Sequence, residues 1–116
     1  MSLEGRRILL VEDEYFIVQD LARAFAQAGA EVIGPAATVA DALRRIAATP
    51  KLDGAVLDIN LQGEMVYPVA DALATRGVPF VFATGYDREN IPDRFSARIR
   101  CEKPVKPDQV ARALFG

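Results

Sequence analysis

The sequence predicts a doubly wound α/β domain: five parallel strands, each followed by a helical stretch, with helices on both faces of the sheet. Two observations carry this. Short apolar runs alternate with amphipathic stretches along the whole length, with no repeat, low-complexity tract or linker between them. The runs are continuous instead of alternating in polarity, as in strands covered on both faces, and a parallel sheet with right-handed crossovers is the arrangement that covers them. With 116 residues against a prior of about 100–200 per domain, the expectation is a single domain over residues 1–116, without room for a fused output module.

The elements follow in order. Ile8-Leu9-Leu10-Val11 is a buried strand that stops at Glu12-Asp13-Glu14. From Glu14 to Ala28, the apolar residues Ile17, Leu21, Ala24, Phe25 and Ala28 recur at helical spacing, and Gly29 closes the helix. Glu31-Val32-Ile33-Gly34 is a short strand; Thr38 then caps a helix with Val39, Ala42, Leu43 and Ile46 inward, and Asp41 completes a variant of the capping box. Ala55-Val56-Leu57 is a third strand, again ending in an acid, Asp58. Pro68 fits only the first turn of a helix, so the next helix starts near Val66 or Tyr67 and stops at Gly77. Pro79-Phe80-Val81-Phe82-Ala83 is the fourth strand and ends at Thr84-Gly85. Residues Arg88 to Phe95 are polar and broken by Pro92, which allows at most a short, poorly packed helix. Arg98 to Glu102 is the fifth strand, and Pro107 opens a last helix with Val110, Ala111 and Leu114 inward.

Composition narrows the function. Hydrophobic residues make up 51% and charged residues 26%, with mean hydropathy +0.10, the balance of an ordinary soluble domain. Fourteen basic against 16 acidic residues give a net charge of −2, which supplies no field for a nucleic acid. The single cysteine, Cys101, excludes an internal disulfide. No apolar run approaches the ~20 residues of a membrane span, and the N-terminus lacks a signal-peptide core. A cytoplasmic location follows as the expectation.

In a doubly wound sheet, ligands bind beyond the carboxyl ends of the strands. Here those ends carry Glu12-Asp13, Asp58, Thr84 and Lys103. Carboxylates brought to adjacent strand ends repel and need a cation. Mg2+ suits one or two carboxylates with waters and a phosphate oxygen, and a chain with no histidine argues against zinc. Asp58, on the end of a rigid strand, has the position of a nucleophile for phosphoryl transfer, a reaction that needs positioning and charge neutralisation more than covalent help. Lys103 supplies positive charge and Thr84 a hydroxyl donor.

Over the whole chain, the set Glu12-Asp13, Asp58, Thr84 and Lys103-Pro104 resembles the receiver domain of two-component response regulators. The resemblance implies a flavodoxin-like strand order 2-1-3-4-5. It implies that Asp58 takes a phosphoryl group from a histidine kinase or histidine phosphotransfer protein, that Asp13 and Asp58 ligate Mg2+, that Glu12 assists through water, and that Asn60 offers its backbone carbonyl. Thr84 and Lys103 then look like the switch hydroxyl and the phosphate-pairing lysine, and Lys103-Pro104 like the family's cis peptide. The segment Pro79-Phe80-Val81-Phe82-Ala83-Thr84-Gly85-Tyr86 resembles the FATGUY receivers of alphaproteobacteria, many of them single-domain. Asn60 to Glu64 and Val66 to Ala70 look like the same subgroup.

Two positions depart from the usual receiver. Arg100 stands where most carry an inward-swinging Tyr or Phe, and Gln62 where most carry Pro. The switch expected in place of that ring is a change of order from Thr84 to Phe95, with Gly85 freeing the backbone and Tyr86 moving. The output is a contact with a downstream protein target. Two other readings compete: a small Mg2+-dependent phosphohydrolase with Asp58 as nucleophile, which would want an acid where Asn60 stands, and a receiver-shaped interaction domain that is never phosphorylated.

Overall fold

The computed structural model describes residues 3–85 and 91–116. Strands β1 (Arg7–Val11), β2 (Glu31–Ala36), β3 (Gly54–Asp58), β4 (Phe80–Thr84) and β5 (Arg100–Glu102) form one parallel sheet in the order β2-β1-β3-β4-β5. Helices α1 (Tyr15–Gln27), α2 (Val39–Ala48), α3 (Tyr67–Thr75) and α4 (Pro107–Phe115) cover its faces. This is the flavodoxin-like order the resemblance implied.

Alternation along each strand divides the core. Leu9, Val11, Ala55, Leu57, Phe80 and Phe82 pack with Val39 and Ile46 of α2 and Val69 and Leu73 of α3. Their sequence neighbours Ile8, Leu10, Val56, Val81 and Ala83 pack on the other face with Phe25 of α1 and Val110 of α4. Each fully buried Leu, Ile or Phe contributes about 1.5–3 kcal/mol of transfer free energy, so the two layers together fix the strand ends relative to one another. Thr38 caps α2 as expected, its hydroxyl accepting the Asp41 N–H at 3.1 Å, and Asp41 in turn pairs with Arg44 and Arg45.

Two expectations need correction, and one feature is new. Ile17 is exposed, because the inward stripe of α1 is centred on Val18 and Phe25, seven residues apart, and Ile17 falls to its side. Among the described residues, the crossover from β4 to β5 holds no α-helix, only the 3-10 turn Asp93–Phe95. That turn is well packed: Phe95 is 3% exposed and joins the α2/α3 core. Pro92 blocks a longer helix, but a buried ring does not need one. A two-stranded antiparallel ribbon, Asn60–Leu61 with Glu64–Met65, was also not anticipated.

One backbone detail positions the site. The register of β1 and β2 shifts between Leu9 and Val11, at Gly34, whose φ is +102°. A Cβ there would lie 2.9 Å from the Ala36 nitrogen and 3.0 Å from the Leu10 carbonyl, so only glycine fits. Past this bulge Ala36 pairs with Val11, and its carbonyl accepts the Glu12 N–H at 3.0 Å.

Candidate functional site

Register brings the sequence-distant residues together. Val11 pairs with Leu57, so Glu12 and Asp58 leave adjacent strands side by side. Asp58 pairs with Ala83 and Thr84 with Glu102, which sets Thr84 and Lys103 at the next two ends. Carboxylate oxygens of Glu12, Asp13 and Asp58 lie within 4.8 Å of one another. The Lys103 ammonium stands between two of them, 3.0 Å from Glu12 Oε2 and 3.1 Å from Asp58 Oδ1.

Each group is held by its element. Glu12 is 3% and Asp58 8% exposed; the second Glu12 oxygen accepts the Glu14 N–H at 3.2 Å. Lys103 is anchored by its own N–H, donated to the Thr84 carbonyl at 2.9 Å, and the Lys103-Pro104 peptide is cis, as is Gly34-Pro35. Thr84 is half-buried at the end of β4. Asn60 is exposed where the ribbon begins, and its side chain is occupied, accepting the Gly63 N–H at 2.6 Å across a turn in which Gln62 has φ 55°. Gly85 is exposed, and Arg100 is exposed at the start of β5, beside Phe82 in register. Tyr86 lies outside the described residues.

The electrostatics show a shortage of positive charge. Burial pushes the Glu12 and Asp58 carboxyls above the usual range, and Lys103 only partly offsets this. Burial alone would lower the Lys103 ammonium, but its hydrogen bond to Glu12 and the charges of both acids outweigh it and raise it. Three converging acids with one lysine paired to two of them, hard oxygen donors and no imidazole, suit a small divalent cation. Beside the cluster a cavity of about 260 Å³ opens between α1 and the loop after β5, with Glu12, Lys103, Ile17, Leu21 and Val105 in its wall. Tyr15 and Phe16, 66% and 82% exposed, stand at the start of α1, next to Ile17.

Sequence reasoning picked out Glu12, Asp58 and Thr84 because each directly follows an apolar run, and Lys103 because it follows the short polar strand before Pro104. It missed the aromatic group behind them. Tyr67 stacks on Phe95 with ring centroids 6.0 Å apart, and Phe80 and Phe82 meet Phe95 edge-on at 6.0 and 5.9 Å. The alternate placing of Phe80 and Phe82 was the available signal.

Comparisons with known proteins agree with this fold. No family model matches the chain. It is 35% identical over 116 residues to the phyllosphere-induced regulator PhyR of Methylorubrum extorquens, covering 92% of this chain and 41% of PhyR; the chain thus spans well under half of that relative. Among solved structures, SdrG from Sphingomonas melonis Fr1 is 41% identical with a TM-score of 0.80, covering 98% of this chain and 96% of SdrG. A structure of the BeF3-activated conformation of SdrG, from Pseudomonas melonis Fr1, gives 0.75 at the same 41%, over 97% and 94%. The receiver domain of the response regulator PhyR from Erythrobacter litoralis gives 0.78 at 28% identity, over 97% and 92%.

Proposed function

This chain belongs to the receiver domains of response regulators, and from that premise we propose that it is a phosphoacceptor, taking a phosphoryl group on Asp58 from a histidine kinase or histidine phosphotransfer protein and signalling through a contact with a downstream protein. The observation that carries the reading is the Asp58 carboxylate, buried at a strand end, 3.1 Å from the Lys103 ammonium and within 4.8 Å of the Glu12 and Asp13 carboxylates. That SdrG has a BeF3-activated conformation supports it, since beryllofluoride on a carboxylate imitates an acyl phosphate.

In the transfer, an Asp58 oxygen forms a bond to phosphorus while the bond from phosphorus to the donor's imidazole nitrogen breaks and its electron pair stays on that nitrogen. Lys103 pairs with the incoming phosphoryl oxygens, and Thr84 donates its hydroxyl to one of them. Asp13, Asp58 and the Asn60 carbonyl would hold Mg2+, with Glu12 assisting through water. The ion, when bound, neutralises charge on the phosphoryl oxygens and the acids. The switch would run through Thr84, Gly85 and Tyr86, since Arg100 offers no ring to swing. The donor would approach over the cavity beside α1, because its wall includes Glu12 and Lys103, both bonded within the acceptor cluster. No helix among the described residues is long and apolar enough to cross a membrane, in keeping with partners in the cytoplasm.

The test is phosphoryl transfer from a panel of phosphorylated kinases, and from acetyl phosphate, with and without Mg2+. Asp58 should acquire one acid-stable, base-labile phosphoryl group, and Asp58→Asn should acquire none. Labelling of the variant at the parent's rate would remove Asp58 from the reaction.

A further inference from the structure

One face of α3 clasps the turn Asp93–Phe95. Tyr67 and Asp71 are four residues apart on that helix and so lie on one side of it. Tyr67 stacks on Phe95, and Asp71 takes the Arg94 guanidinium as a fork, Nε to Oδ1 at 2.9 Å and Nη2 to Oδ2 at 3.0 Å. The guanidinium also lies 4.6 Å from the Phe95 ring centroid. An aromatic plug and an ionic clasp, adjacent in both segments, hold the turn Asp93–Phe95 against α3.

The clasp is joined to the acceptor cluster from two sides. Helix α3 begins where the ribbon after Asp58 ends, and the Val66 N–H donates to the Ile59 carbonyl at 2.9 Å. Strand β4 carries Phe80, Phe82 and Thr84 at alternate positions, hence on one face, and the Phe82 ring meets both Tyr67 at 6.3 Å and Phe95 at 5.9 Å. A displacement of Thr84 toward a phosphoryl group is therefore felt by the rings that seat the turn. Asp71 and Arg94 are themselves about half exposed. A pair this exposed is screened by solvent and salt, which suits a contact that must open.

We propose that the Asp71–Arg94 pair is a latch that holds residues 91–98 against α3 while Asp58 is unmodified, and that acquiring a phosphoryl group shifts the chain toward the unlatched form. This rests on Asp58 being the acceptor. Linkage makes the effect reciprocal: whatever opens the latch must tighten binding of the group at Asp58 by the same factor.

The experiment measures affinity for beryllofluoride in the presence of Mg2+ by amide NMR titration of the full chain. Asp71→Asn and Arg94→Gln should each bind roughly two- to fivefold tighter than the parent, and the charge swap Asp71→Arg with Arg94→Asp should return the affinity toward the parent value. A merely structural role would weaken binding in the single variants, the opposite sign, and would overturn the latch. Single variants equal to the parent, or a swap no closer to it than they are, would also overturn it. A parent that binds no beryllofluoride overturns the acceptor reading and the latch together, whereas binding by the parent with unaltered variants overturns the latch alone.

Discussion

Lys103 bridges Glu12 and Asp58 with one ammonium, 3.0 Å from the first and 3.1 Å from the second. One cation is thus divided between two buried carboxylates while a third, Asp13, lies within 4.8 Å of both. The site is electrostatically incomplete in the free chain, and that incompleteness decides how it responds to mutation, protons and metal.

The first expected outcome concerns stability without divalent ions. Burial raises the folded-state values of Glu12 and Asp58, so the native chain binds more protons than the unfolded one between the ordinary carboxylate value and the raised one. Stability is then fully supported below the ordinary value, near pH 4, and falls as pH rises through the raised value. Asp58→Asn removes one of the crowded charges. It should stabilise the metal-free chain at neutral pH by about 1 kcal/mol, roughly 4 °C in Tm, and flatten the fall with pH. A variant less stable than its parent at pH 7, with the same slope, would contradict this account.

Added Mg2+ should act in the same direction in the parent. An ion that binds only the folded chain stabilises it by about 2.7 kcal/mol at 100 times its Kd. Asp13→Ala should lose most of that stabilisation, together with phosphoryl labelling. Thermal melts across a Mg2+ titration read the first and mass spectrometry the second. An unchanged Mg2+ response in the variant would remove Asp13 from the ligand set.

How much of this was legible before the fold was seen differs by region, for a physical reason. Glu12, Asp58 and Thr84 each follow an apolar run directly, and a continuous run has one interpretation in a parallel sheet, so its end could be placed to within a residue; Lys103 follows the alternating strand Arg100–Glu102, whose only local signal is the Pro104 after it. Ile17 belongs to the apolar spacing of α1 yet lies outside the core, because a helical stripe is broad and one sequence does not fix its centre; Val18 and Phe25 take the core instead. Phe95 was assigned to a loose segment because local propensity around Pro92 is poor, and propensity carries no information about rings that arrive from Tyr67, Phe80 and Phe82. The Arg94–Asp71 pair spans 23 residues and leaves no local pattern at all.

Phe95 therefore gives a test of tertiary packing against local propensity. Its ring is 3% exposed among three others, so Phe95→Ala should cost about 3–4 kcal/mol, whereas a loosely attached loop residue would cost a few tenths. Denaturant unfolding measures the difference. A loss below about 1 kcal/mol would mean the turn does not depend on its plug.

Lys103 is expected to separate phosphate uptake from output. In the metal-free chain, Lys103→Ala leaves Glu12 and Asp58 without their shared cation, at a cost of about 3 kcal/mol that Mg2+ should largely restore. With Mg2+ present the variant should still be labelled at Asp58, but its phosphorylated form should bind the downstream protein weakly, and Thr84→Ala should behave likewise. Equal target affinity for the phosphorylated parent and phosphorylated Lys103→Ala would exclude this role.

Arg76 supplies the last prediction, at the end of the molecule away from the chemistry. Its guanidinium donates to three carbonyls, Ile46 at 2.5 Å, Thr49 at 2.8 Å and Pro50 at 2.7 Å. Carbonyls at and just past the end of a helix lack intrahelical partners, and here a side chain from just beyond α3 serves Thr49 and Pro50 and shares the Ile46 carbonyl with the Thr49 N–H, tying two helices that pack on the same face. The residue itself is exposed, so water can replace part of what is lost, and the charged donor matters more than the apolar stem. Arg76→Met should cost about 1–2 kcal/mol, Arg76→Lys about half of that because an ammonium cannot reach three carbonyls in a fixed fork, and neither should alter labelling at Asp58. Chemical denaturation of the two variants beside the parent measures this. Equal stability in all three would show that solvent serves the end of α2 as well as the guanidinium does.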